Sequence, residues 1–110
     1  MNIYEDENII VSPSPLEGFG VFAKRMFKKD EVVLKWNPKQ LTSEELQNIP
    51  EDQKRYINKL QDGSSVLMQT PERFVNSSES PNTQVVGYSD VALRDIEIGD
   101  EITSNYPFEK

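Results

Sequence analysis

Short β-branched runs separated by turn residues dominate the chain. Ile9-Ile10-Val11, Val21-Phe22-Ala23 and Val32-Val33-Leu34 predict three strands in its first third. Ser12-Pro13-Ser14-Pro15 predicts a loop, because proline has no N–H to give to a ladder. Lys28-Lys29-Asp30 predicts the turn between the second and third strands. Residues 42 to 61 differ in character. Thr42 followed three residues later by Glu45 forms a capping box, and Leu46 and Ile49 behind it predict a short helix. Pro50 predicts the start of a second helix, with Tyr56, Ile57 and Leu60 on one face and Asp62-Gly63 at its end. Strand signals return at Val66-Leu67-Met68, Arg73-Phe74-Val75, Gln84-Val85-Val86, Val91-Ala92-Leu93 and Glu101-Ile102-Thr103. The pattern predicts a mainly β domain of short sheets with one helical insert at about 42–61.

One segment recurs. Residues 23 to 33 align without a gap on residues 92 to 102, at a constant offset of 69 positions. An alanine, an arginine, an apolar residue, a turn, an acid and an aliphatic follow in the same order. A strand, a tight turn and a second strand used twice explain this, with the two hairpins packed on one another; a chance likeness between two charged hairpins explains it equally. A period this long, interrupted by a helical insert, does not suit a solenoid.

Composition narrows the chemistry. A chain of 110 residues fits one domain, 1–110, with one modest core. No apolar run approaches the roughly 20 residues needed to span a bilayer. The acidic start, Met1 to Glu7, is unlike a signal peptide. A soluble protein of the cytoplasm or another intracellular compartment is expected, with no membrane partner. There is no Cys and no His. That removes disulfides, thiol nucleophiles, the usual general base and the commonest zinc ligands, so no metal site is expected. The net charge of −7 disfavours nucleic acid and favours a basic partner such as a lysine-rich peptide.

Residues 73 to 83, Arg-Phe-Val-Asn-Ser-Ser-Glu-Ser-Pro-Asn-Thr, concentrate small groups that bond to backbone just after an apolar pair. By themselves they read more readily as a plain Asx/Ser turn than as a loop that holds a ligand. Two further stretches tilt the reading. Gly18-Phe19-Gly20-Val21-Phe22-Ala23 resembles the Gly-aromatic-Gly opening of the SET domain family, the S-adenosylmethionine-dependent protein lysine methyltransferases. Arg73 through Asn82 resembles that family's Arg-Phe-Ile/Val-Asn-His-Ser-Cys-x-Pro-Asn. Gly99-Asp100-Glu101-Ile102-Thr103-Ser104-Asn105-Tyr106 resembles its closing Gly-Glu-Glu-Leu-Thr-x-x-Tyr. The three occur in the family's order and together cover nearly the whole chain.

The resemblance implies a β-clip of several short sheets with a C-terminal pseudoknot, in which the Asn76 segment threads under a C-terminal loop. It implies S-adenosylmethionine as cofactor, held by Gly18, Phe19, Gly20, Arg73, Phe74, Asn76, Ser77 and Ser78. The Asn76 amide is expected to be buried and bonded to backbone. Lys24 or Arg25 could pair the cofactor's carboxylate, or simply be solvated. Tyr106 is the catalytic candidate, orienting the amine and the methyl group, and Phe19, Phe108 and Tyr56 are candidates for the lysine channel. Tyr88 is a further tyrosine to consider, although a hairpin tip explains it as well. Such chemistry tolerates a chain without His or Cys. Two positions depart from the family: Ser77 stands for its His and Glu79 for its Cys. A non-catalytic SET domain that binds a basic peptide is therefore the alternative, and a small ligand-binding β-clip of the antifreeze-like type is a more distant one. Small bacterial and viral members lack the cysteine-rich segment that closes the cofactor site in many relatives. Here the last residues or a second subunit are expected to close the channel, which makes a homodimer compatible with the sequence.

Overall fold

The computed structural model describes residues 3–59 and 63–104. Among them, β1 (Tyr4–Glu5), β2 (Ile9–Pro13), β3 (Phe19–Ala23) and β4 (Val32–Lys35) fill the first third. Then come β5 (Lys39–Leu41), helix α1 (Ser43–Gln47), a 3-10 turn at Glu51–Tyr56, β6 (Ile57–Lys59) and β7 (Ser65–Leu67). A second 3-10 turn, Glu72–Phe74, leads into β8 (Asn76–Ser77), β9 (Thr83–Val85), β10 (Ser89–Ala92) and β11 (Glu101–Ser104). Eight of these strands form one curled sheet in the order β1-β2-β3-β11-β9-β10-β4, with β8 also on β11. Strands β5, β7 and β6 form a separate three-stranded antiparallel sheet.

The expected mainly β architecture is present, and the capping box forms as read. Thr42 Oγ1 accepts from Glu45 N at 3.1 Å, while Glu45 Oε1 accepts from Thr42 N at 3.1 Å. Two local expectations are corrected. The second helix is a short 3-10 segment that passes into β6 at Ile57. Ile57, a β-branched residue, pairs with Leu67, so partnering across the small sheet outweighs helical periodicity; Leu60 lies outside the described residues. Arg73-Phe74 is a 3-10 turn and not a strand. Phe74 N bonds to Pro71 O at 3.0 Å and Val75 N to Glu72 O at 3.2 Å, which leaves only Val75 extended.

The doubled segment is a structural repeat. Phe27 and Ile96, equivalent at the offset of 69, bond to each other in both directions, N to O at 2.9 and 2.8 Å. Around this pair the backbone bonds between the two turns have counterparts. Ala23 N donates to Asp100 O at 2.9 Å, and Ala92 N donates to Glu31 O at 2.9 Å. Asp30 N donates to Ala92 O and Gly99 N to Ala23 O, both at 2.8 Å. Each turn is closed by an acid: Glu31 accepts from Lys28 N and Asp100 accepts from Glu97 N, both at 3.0 Å. The two turn units thus face each other across a local two-fold centred on Phe27 and Ile96, both fully buried. Around them lie Ile9, Val11, Val21, Ala23, Val33, Leu34, Val75, Ala92 and Ile102, which form the main core.

Each turn needs one residue with positive φ, Asp30 at 72° and Gly99 at 91°. Aspartate is among the few L-residues that visit this region. A Cβ at residue 99 would meet nothing within 4 Å, so only its backbone conformation opposes a side chain. Gly99→Ala is accordingly expected to cost about 1–2 kcal/mol in chemical denaturation. No loss of stability would show that the turn relaxes freely.

Candidate active site

The loop between β2 and β3 meets the Asn76 segment on one side of the large sheet. Between them and the first 3-10 turn lies a cleft of about 440 Å³, lined by Leu16, Glu17, Arg55, Tyr56, Arg73, Val75, Asn76 and Ser77. An adjoining pocket of about 130 Å³ adds Gly18, Phe19 and Phe74 to the lining. Its aromatic wall is ordered by edge-to-face contacts. Phe74 meets Phe19 at 6.2 Å and 72° and Tyr56 at 6.3 Å and 66° between ring centroids and planes. The Arg73 guanidinium lies 4.1 Å from the Tyr56 ring centre, and Arg55 lies 5.2 Å from it. Arg73 is fixed further by bonds to Met68 O at 3.0 Å and Gln53 Oε1 at 3.1 Å. Arg55 reaches Glu17 at 3.9 Å across the cleft, an exposed pair that adds little stability.

Asn76 ties the two walls together. Its Nδ2 lies 3.2 Å from Glu17 O, 3.1 Å from Phe19 O, 2.8 Å from Glu101 Oε2 and 3.3 Å from Ser14 Oγ. The amide is half-buried, and it bonds to the backbone of the glycine loop across a sequence separation of 57 residues or more. Behind the loop, Ser14 Oγ donates to the Glu101 carboxylate at 2.8 Å. Gly20 packs beneath that carboxylate. A Cβ there would overlap Glu101 Oε2 and lie 3.0 Å from Ser14 Cβ, so a side chain at this position would displace the Glu101 carboxylate.

The second asparagine of the motif, Asn82, is the buried one. Its Oδ1 accepts from Thr103 N at 2.8 Å and its Nδ2 donates to Glu101 O at 2.8 Å. Thr83 Oγ1 donates to Thr103 O at 2.7 Å. These bonds run β8 and β9 parallel to β11, pairing Asn76 with Thr103 and both Ser77 and Thr83 with Ser104. The segment expected to thread beneath the C-terminal loop therefore lies against β11; residues 105–110 of that loop are outside the described residues.

Most of the expected cofactor residues converge. Gly18, Phe19, Arg73, Phe74, Asn76 and Ser77 line the cleft, and Tyr56, assigned from the sequence to the lysine channel, stands on the same wall. Gly20 is one layer behind, where it makes room for Glu101. Ser78 turns away: its N–H donates to Ser104 O at 3.2 Å and its Oγ accepts from Ser80 N at 3.0 Å. Lys24 and Arg25 are elsewhere. Lys24 pairs with Glu5, and Arg25 pairs with Glu31 at 2.6 Å while its guanidinium covers the Phe27 ring at 4.0 Å. The cationic groups on the cleft are instead Arg55 and Arg73, one of them from the insert. Tyr88 sits exposed at a hairpin tip, stacked at 14° on Trp36. The catalytic candidate Tyr106 and the channel candidate Phe108 lie outside the described residues. Sequence reasoning missed Ser14, Glu17, Arg55 and Glu101. For Glu101 there was a signal, its place within the closing motif, but its contact with Gly20 is not local.

Residues 18–107 match the family model of the SET domain, and the chain belongs to that family. No curated protein matches the chain in sequence. Among solved structures, the chain is similar to a Plasmodium falciparum protein described as a "putative histone methyltransferase". The two share 22% identity with a TM-score of 0.72, over 96% of this chain and 97% of that one. At this identity the likeness establishes the fold.

Proposed function

We propose that the chain is a protein lysine methyltransferase that uses S-adenosylmethionine. The observation that carries this reading is the cleft itself. The glycine loop and the Asn76 segment, far apart in sequence, are joined by one side-chain amide around a cavity of a size usual for small ligands. Its lining fits the cofactor. Phe19 and Phe74 place aromatic rings beside the space for a cation. Arg55 and Arg73 provide guanidinium groups for a carboxylate, and Glu17 with the Asn76 amide provides acceptors for an ammonium. An adenine edge requires one donor and one acceptor, which a peptide backbone can supply, and the family resemblance assigns this to the segment that begins at Asn76.

The cofactor, when bound, supplies an electrophilic methyl group on a sulfonium. The chain's own residues bind, orient and dry the reactants. The family resemblance assigns Phe19, Phe108 and Tyr56 to the lysine channel and gives the Tyr106 hydroxyl the part of orienting the amine by hydrogen bonding. No histidine is needed to make the amine neutral, because water can take the proton that the lysine ammonium gives up. The net charge of −7 draws a lysine-rich protein or peptide to the site.

Ser77 and Glu79 favour a second reading, a SET domain that binds a basic peptide without chemistry. Labelling of a lysine-rich protein mixture with tritiated cofactor separates the two. Incorporation into protein is expected for the parent chain. Tyr106→Phe is expected to slow turnover while calorimetric affinity for S-adenosylhomocysteine stays within a few fold. Cofactor binding without any labelling would favour the binding module. No binding even at millimolar cofactor would overturn the enzyme reading.

A further inference from the structure

Four oxygens surround Asn76 Nδ2, and three of them can only accept: the Glu17 and Phe19 carbonyls and the Glu101 carboxylate. The amide nitrogen, not its oxygen, must therefore face them. Its shortest bond, 2.8 Å, is to Glu101 Oε2. That carboxylate is itself held by Ser14 Oγ, at 2.8 Å from Oε1 and 2.9 Å from Oε2. The Ser14 hydroxyl also accepts from Leu16 N at 3.0 Å, which ties the arrangement to the start of the glycine loop. Gly20 leaves the room for it. With Nδ2 committed, Asn76 Oδ1 has no protein donor among the described residues, while Asn76 lines the cleft.

We propose that Glu101 is a positioning residue, which with Ser14 locks the rotation of the Asn76 amide so that its oxygen is offered to a cationic group of the ligand. This rests on the cofactor reading above and deepens it. The group served is the ammonium of the cofactor's amino-acid end, and the nucleoside end does not depend on Glu101. Without Glu101 the amide keeps only its longer bonds, 3.1 to 3.3 Å, and the turned rotamer, which presents its NH2 to the ligand as a donor facing a donor, gains population.

The test compares two ligands by calorimetry: S-adenosylhomocysteine, and 5′-methylthioadenosine, which keeps the nucleoside and thioether but lacks the amino-acid end. Glu101→Ala is expected to lose about 10–100-fold in affinity for the first, the usual weight of a bond to a charged group, with little change for the second. Glu101→Gln keeps one acceptor oxygen and is expected to recover most of the loss. Ser14→Ala removes one support and is expected to show a smaller, equally selective loss, so it carries the test should Glu101→Ala not fold. Equal losses for both ligands would mean that Glu101 merely holds the fold, and unchanged affinities would mean that it has no role; either overturns the inference. A parent chain that binds neither ligand overturns the cofactor reading and this inference with it.

Discussion

Replacing Asn82 by alanine is expected to destabilise the protein by about 2–5 kcal/mol, because it strands two buried backbone groups at once. Its amide satisfies Thr103 N through Oδ1 and Glu101 O through Nδ2, both at 2.8 Å, and the residue is 6% exposed. Aspartate at this position keeps the acceptor for Thr103 N but puts an oxygen against Glu101 O, so it is expected to be no milder. The effect should reach the site, since the same β11 residues hold β8, and Asn76 begins β8. Urea denaturation of Asn82→Ala beside Asn76→Ala checks this. Asn76 is half-buried, so its variant is expected to lose ligand affinity more than stability. The reverse ranking would mean that Asn76, not Asn82, anchors the crossing.

Asp90→Asn is expected to stabilise the protein above neutral pH, by up to about 4 kcal/mol. Asp90 is completely buried beside the second core cluster, Trp36, Val66 and Met68. Trp36 Nε1 donates to its Oδ2 at 2.8 Å, and Oδ1 has no partner among the described residues. Burial pushes the Asp90 carboxyl up to about 7; the Trp36 bond opposes the rise, and the charge of nearby Glu72 adds to it. The sign follows directly. Between the unfolded value of about 3.9 and the folded value, the native state holds a proton that the unfolded chain has released. Native stability therefore falls as pH rises through that window, and the penalty is complete above about 7. Asparagine keeps an oxygen for Trp36 and carries no charge. Denaturation of parent and variant from pH 4 to pH 8 should show curves that meet at the acid end and separate toward the alkaline end. Parallel curves would show that Asp90 is not the source. Carboxylates that the two chains share, such as Glu31 and Glu45, cancel in the difference.

Much of the lining of the candidate cleft was legible because those residues sit in contiguous motifs. Gly18, Phe19, Arg73, Phe74, Asn76 and Ser77 all reach the cleft. The errors arose where a partner far along the chain decides the outcome. Ile57 follows a helical spacing, yet it pairs with Leu67 in a sheet. Lys24 and Arg25 are close in sequence to the glycine loop but pair with Glu5 and Glu31, while Arg55, some 30 residues further on, lines the cleft. Ser78 lies in the motif but spends its N–H on β11.

By itself the sequence determined the local conformations and the repeat. β-branched runs made strands, the Thr42–Glu45 box made a helix start, and residues 23 to 33 and 92 to 102 carried the same turn chemistry twice, including a residue able to take positive φ in each. Such features depend on groups a few positions apart, so their energetics are written locally. Only the tertiary structure decided that the two turns face each other at Phe27 and Ile96, and that Glu101 fills the space a glycine leaves. It also decided that Asn76 closes the cleft while Asn82 is buried. The two asparagines are chemically identical; what separates them is which backbone groups the crossing of β8, β9 and β11 leaves without partners.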